Sequence, residues 1–254
     1  MVVGLLLFLD GPRLMMAEPT RAAVDAFNSY CRNVEARLAE QHRLDAEFVA
    51  MNGDEERRLR AGEVVIEKLP GIGDLGGAMV HDWRGTAFAP GATASDFECL
   101  MRDFESYPQH FSPQVMEAKT IARDGGHLQA WMRVRQRHVI TVVMDSRYDI
   151  TYGQMDARHG YSLSRSTEMD EIEGAGTLKE RRLRGDEEHG FLWRLNTYWS
   201  FEERDGGLYL QVEAVSLTRS VPRGLGWVIG PYVESVPRES LEFTLRSAVN
   251  ALRR

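Results

Sequence analysis

The chain has 254 residues, 43% of them hydrophobic, enough to bury one generous core or a core with an appendage. Its formal net charge of −7 excludes the positive surface that phosphate backbones require, and its densest basic group, Arg181, Arg182 and Arg184, is flanked by Glu180, Asp186, Glu187 and Glu188. Nucleic acid is therefore not an expected partner. Cys31 and Cys99, far apart and in no metal or redox spacing, exclude a disulfide framework and leave two free thiols as the default, with one bridge as the alternative.

Residues 2–9 are apolar apart from Gly4, yet far short of the roughly 20 residues that a membrane-spanning helix needs. Residues 1–17 partly resemble a secretory leader, with small Ala17 where cleavage would fall. A basic first region is missing, and Asp10 and Pro12 interrupt the run. Both an exported and a cytoplasmic protein fit this segment. From 19 to about 51 the pattern is helical, with Val24, Phe27, Cys31, Val34 and Leu38 three or four apart, and predicts an N-terminal helix on the outside of the main domain. Asn52-Gly53 is expected to end it, leaving charged 54–60 as a linker or loose turn, so that 18–60 forms an extension and 61–254 the main domain.

Val64, Val65 and Ile66 begin a short strand. The glycine-dense 71–77 that follows has no G-x-G-x-x-G and no helix after it, and reads as a flexible turn rather than a phosphate cradle. Residues 79–88 form a strand, Pro90-Gly91 closes it, and Thr93 or Ser95 caps a helix with Phe97, Leu100, Met101 and Phe104 on one side. Tyr107-Pro108 stops that helix. Two alternating runs, 115–123 and 127–137, flank Asp124-Gly125-Gly126 as a hairpin; a second hairpin turns near Arg158-His159-Gly160. No turn can be placed between Gln136 and Ser146. The last hairpin, 191–203 with 208–218 across Asp205-Gly206-Gly207, puts Phe191, Trp193, Leu195, Trp199 and Phe201 on one face, expected inside. In the tail, Leu225, Ile229, Tyr232 and Val236 are followed after a five-residue step by Leu241, Leu245, Ala248 and Leu252. The step, with Pro231 and Pro237, predicts a short first helix or a kink and then a straight final helix.

An antiparallel sheet that ends in one long amphipathic helix has two apolar faces and one way to bury both: the helix folds back over the concave side of the sheet. The expected fold class is α+β, with a natural cavity between sheet and helix. This order of elements, together with 189–199, 224–231 and 236–241, resembles the helix-grip fold of the START-like or polyketide cyclase-like (SRPBCC) superfamily, topologically, from about Met79 to Leu252. The resemblance implies a curved sheet wrapped around the C-terminal helix and a cavity for lipids, sterols, polyketides or plant hormones. Some members are cyclases or hydroxylase subunits. None of their catalytic motifs can be placed on this chain residue by residue.

Trp193, Trp199 and Phe201 from the sheet, and Trp227 and Tyr232 from the helix, are the expected cavity lining, although the same residue types build plain cores. Ser162, Ser164 and Ser166 share one side of a strand, with Glu168 continuing it. Leu163 and Met169 opposite favour a water-facing serine row over a ligand contact. No nucleophile elbow accompanies them. The seven histidines, among them His81, His110, His127, His138, His159 and His189, include no zinc-binding spacing, so neither metal nor cofactor is expected. His138, beside Arg135 and Arg137, and Tyr148 are the candidates for acid or base chemistry. The expected function is non-covalent binding of a hydrophobic or amphipathic small molecule, lipid-like or polyketide-like. The alternatives are a cyclase or dehydratase using a cavity His or Tyr, and a structural module whose core Trp193, Trp199 and Trp227 fill.

Overall fold

In the computed structural model residues 18–44, 48–137, 141–220 and 226–253 are described, with the backbone alone for 186 and 226–234. The leader-like segment, His138 and the connection sought between Gln136 and Ser146 lie outside the described residues. Eight strands form one antiparallel sheet: β1 (Val65–Ile72), β2 (Ala78–Pro90), β3 (Val115–Asp124), β4 (His127–Arg137), β5 (Thr141–Gln154), β6 (His159–Glu173), β8 (Arg194–Arg204) and β9 (Gly207–Arg219). Their spatial order is β1-β2-β9-β8-β6-β5-β4-β3, and a two-residue β7 (Arg181–Arg182) pairs with the far end of β6 as the ninth strand. Asp205 and Gly206, at φ 57° and 77°, make the two-residue turn joining β8 to β9; both central residues must be left-handed there for the turn to match the strand twist.

The helices differ from expectation in instructive ways. Helix α1 (Arg21–Gln41) is capped by the Thr20 hydroxyl, which accepts from Ala23 N at 3.1 Å. Asn52 does not close a helix but opens one: its side chain accepts from Asp54 and Glu55 N while Glu55 accepts from Asn52 N, a capping box that starts α2 (Gly53–Arg60). Residues 54–60 are thus a helix, not a linker, and bury Leu59 against Phe48, Val49, Phe88 and Tyr209. Strand β1 runs on through Pro70 and Gly71, because Gly71 lacks the Cβ that would lie 2.1 Å from Val80 O; only 73–77 turn. Thr93 caps α3 (Ala94–Arg102), and a single helical turn, α4 (Tyr107–His110), follows. The final helix α5 (Gly226–Leu252) is continuous through Pro231 and Pro237, so the expected short first helix is absent. A proline within a helix forfeits one backbone hydrogen bond, which a long helix packed on a sheet survives.

Both faces of the sheet are covered. Helix α5 packs on one, here called inner, where Leu241, Leu245, Ala248 and Val249 join Trp83, Ala87, Leu210 and Val212, and α3 adds Phe97 and Met101. This is the helix-grip arrangement: a curved antiparallel sheet with the C-terminal helix laid across it. Helix α1 covers the outer face with Phe27, Cys31, Val34 and Leu38 against Ala78, Val80, Val215 and Leu217. Cys31 is therefore buried while Cys99 on α3 is exposed, and both thiols are free.

Under α1 the outer face also holds a buried polar seam. Glu213 accepts from Arg84 Nε at 3.1 Å and Nη2 at 2.9 Å and pairs with Arg37, and Arg84 reaches Glu67 at 3.2 Å. Asp82, two pairs along, accepts from Tyr30 Oη at 2.7 Å. Burial, then the Glu213 charge, pushes the Asp82 carboxyl up to about 7, against the opposing pull of Tyr30, Arg37 and Arg84. The folded pKa thus exceeds the unfolded one, so the contribution of this group is complete below about pH 4 and lost as pH rises through about 7. Asp82→Asn is expected to flatten that part of the profile: the drop in urea midpoint between pH 5 and pH 8 should be smaller than in wild type. Parallel profiles would contradict this account.

Candidate functional site

The inner face is set by strand register. Ser162 pairs with Trp199 and Ser164 with Thr197, while on the other side of β6 the partners are Tyr152 and Ile150, and Ser166 meets Tyr148. All of these lie on the side that Phe97 and α5 cover, since Trp199 and Tyr152 pack on that core. The serine row therefore faces inward, contrary to the water-facing expectation. Two features reversed it. Leu163 is apolar because it packs beneath α1 on the outer face. A register shift at β5 residues Arg147 and Tyr148 moves Met169 inward and Glu168 outward, where Glu168 pairs with Arg147 at 2.9 Å and Arg182 at 2.8 Å.

One end of this face is sealed. Phe97 stands edge-on to Trp199 and Phe201, each at 5.2 Å between centroids, and the Tyr152 and Tyr107 hydroxyls donate to Met101 O at 2.7 and 3.1 Å. Arg102 lies 4.3 Å over the Tyr152 ring, whose phenol burial pushes up to about 12. Toward the other end cover thins: exposure along β6 rises from 1% at Ser162 through 9% at Ser164 to half-buried Ser166. Met132, Val134, Leu195, Thr197, Ala214, Ser216 and Thr218 on the same face are also half-buried.

Two tethers frame the open end. Gln136 Nε2 donates to Ser240 Oγ at 2.9 Å, tying β4 to α5. Glu171, buried, gathers the backbone N–H groups of His189, Gly190 and Phe191 at 3.0, 2.9 and 3.1 Å and sits 2.8 Å from His189 Nδ1. That carboxylate holds the 185–191 loop in place. His81, also inward, sits 3.0 Å from Thr218 Oγ1.

The expected lining is only partly brought together. Trp199 and Phe201 are inward, half-buried and buried respectively. Trp193 is not: β8 starts at Arg194, so period-two counting does not reach back to it, and it packs in the α1 cluster with Arg219 over its ring at 5.9 Å. Phe191 is 41% exposed and stacks on His189. Trp227 and Tyr232 fall within α5, with side chains outside the described residues, as is His138. Tyr148 is inward among Phe104, Leu128 and Ile150, and burial raises its phenol, which stays protonated at neutral pH. Reading the residues alone missed Thr197, Ser216 and Glu171. The first two carried a signal, a period-two hydroxyl pattern on the last hairpin; Glu171 carried none, since its partners are loop N–H groups.

A concavity on the outer face is lined by Trp131, Asp145, Arg147, Glu168, Asp170 and Arg182. Its volume of about 140 Å³ is below the ~300 Å³ at which small-molecule pockets begin, and its charges are paired, Arg133 with Asp145 at 2.6 Å and Arg182 with Asp170 at 2.5 Å. It is a structural ion-pair network. Among the described residues no group of three metal-ligating side chains occurs, and no described helix is long and apolar enough to cross a membrane.

No protein-family model and no curated protein matches the chain. Among solved structures it is similar to TTHA0849 from Thermus thermophilus, at 14% identity and TM-score 0.48, over 72% of this chain and 97% of that one. It is also similar to a STAR-related lipid transfer protein fragment from Xanthomonas axonopodis, at 17% and 0.46 over 73% and 98%. A third is the Zhui aromatase/cyclase from a Streptomyces species, at 14% and 0.45 over 69% and 94%. No residue-level correspondence follows from such overlap. The fold stands on the strand order and helix placement above.

Proposed function

We propose that this protein binds a hydrophobic or amphipathic small molecule, without covalent chemistry, in the cleft between the inner sheet face and α5. The observation that carries this reading is a contrast on a single face. Leu210, Val212 and Leu245 are sealed, whereas Met132, Val134, Leu195 and Trp199 stay half-buried on the same inward face. Apolar side chains left half-covered on an inward face gain roughly 25 cal/mol per Å² when a guest covers them. Tyr148, protonated, fits a hydrogen-bond donor in such a site better than a base.

The test is native mass spectrometry of the purified protein, organic extraction of whatever it carries, and thermal denaturation with the extracted compound. A guest held at about 100 times its dissociation constant is expected to add about 2.7 kcal/mol, a melting shift on the order of 5 to 10 °C. Finding no co-purifying compound, and no shift across a panel of lipids and aromatic polyketides, would remove this reading in favour of a filled structural core.

A further inference from the structure

We infer that Asp82 is a neutral carboxylic acid below neutral pH and that its proton works as a latch. Asp82 donates to Tyr30, Tyr30 donates to the Pro70 carbonyl, and α1 is thereby fastened to the edge strand β1. Taken alone, the 2.7 Å contact between Tyr30 Oη and Asp82 Oδ2 reads as the phenol donating to a carboxylate. The Pro70 carbonyl changes that reading, because Tyr30 Oη is within hydrogen-bond reach of it as well. A carbonyl only accepts, an ionised carboxylate only accepts, and a phenol has one hydrogen to give. Two contacts need two hydrogens. Tyr30 supplies one, since burial and the acid beside it keep its phenol protonated, and the second belongs to Asp82.

A second observation agrees. Asp82 Oδ1 is buried and has no hydrogen-bond partner among the described residues. Left bare, a carboxylate oxygen forfeits far more hydration than the carbonyl oxygen of a neutral acid. The groups around Asp82 do not relieve it. Helix α1 presents Tyr30, Arg37 and the thiol of Cys31, which burial pushes up to about 11; β9 presents Glu213, β2 itself Arg84, and β1 Glu67 across from Arg84. Both guanidiniums are engaged, Arg37 with Glu213 and Arg84 with Glu213 and Glu67. Two cations already face two acids there, so ionising Asp82 adds a negative charge without a counter-charge. When the proton does leave, the phenol turns to the new carboxylate in a charge-assisted bond, and Pro70 O passes to water at the exposed edge. Burial and then the Glu213 charge, which raise the Asp82 carboxyl to about 7, set the changeover near neutrality: the latch is closed below it and open above.

The test uses the full chain with carbon-13 in its aspartate carboxyls, titrated by NMR from pH 5 to pH 9. Hydrogen exchange of residues 69–72 is followed alongside, as protection factors, so that intrinsic exchange rates cancel. One carboxyl resonance, lost in Asp82→Asn, is expected at the protonated position at pH 6, where surface aspartates are ionised, and at the ionised position by pH 9. Protection of 69–72 should fall roughly 5-fold over that range, the worth of one ordinary hydrogen bond. An asparagine side chain, like the neutral acid, both donates and accepts, so Asp82→Asn should stay protected at both ends, while Tyr30→Phe should be less protected at both. An Asp82 carboxyl already ionised at pH 6 would overturn the inference. So would a proton whose loss by pH 9 leaves 69–72 unchanged, or an equal fall in Asp82→Asn. Should a variant fail to fold, the wild-type resonance, assigned through the Asp82 backbone, and the wild-type exchange still decide between these outcomes.

Discussion

Replacing Arg84 with Met is expected to destabilise the protein by about 3 to 5 kcal/mol, the largest single effect foreseen outside the apolar core. Arg84 supplies two of the donors on Glu213, whose side chain is almost wholly buried beneath α1. Its removal leaves that carboxylate dependent on Arg37, a guanidinium 41% exposed on the helix, for charge compensation. The variant should show a lower urea midpoint at pH 7 with an unchanged slope. Adding Glu213→Gln should recover part of the loss, because the penalty lies in the orphaned charge more than in the missing pair; a double-mutant cycle reads that coupling directly. An Arg84→Met variant within about 1 kcal/mol of wild type would mean that water reaches Glu213 and that the seam is not dry.

Leu245→Ala is the second, expected to cost about 2 to 5 kcal/mol. Leu245 is fully buried at the centre of the α5 contact with β2, and its Cδ1 occupies the space above Gly85, 2.6 Å from where a Cβ on that residue would lie. Deleting three carbons there opens a void that the sheet cannot close, since β2 is held on both sides by β1 and β9. Gly85→Ala, which alone would force Leu245 and Ile66 aside, should restore part of the stability in the Leu245→Ala background by refilling the void. Equilibrium unfolding of the four proteins decides this. Additive losses would show that the helix has moved off the strand instead of leaving a cavity.

These two positions also show how far the sequence is legible. The 241, 245, 248 spacing announces a helix face because three- and four-residue steps are local geometry, and the Asp205-Gly206 turn announces itself because few residues tolerate two left-handed conformations in succession. The α1 spacing is equally local. By contrast, the Asn52 capping box is legible in principle but competes with the Asn-Gly stop signal at the same place. Trp193 is misplaced for a different reason. A period-two count presumes that the strand has begun, and only the β9 pairing shows that it begins at Arg194.

The residues alone dictate most of the elements, the order in which they follow one another, and hence the need for a helix to cover a sheet. The direction of the serine row, and with it the character of the site, emerges in three dimensions. Alternation along β6 separates two faces but does not say which is interior, because that depends on where α1 and α5 dock and on a register shift opposite Arg147 that flips the phase midway. Once α1 packs on the outer face, Ser162, Ser164 and Thr197 lie on the opposite, inward side of the sheet, toward Phe97 and α5.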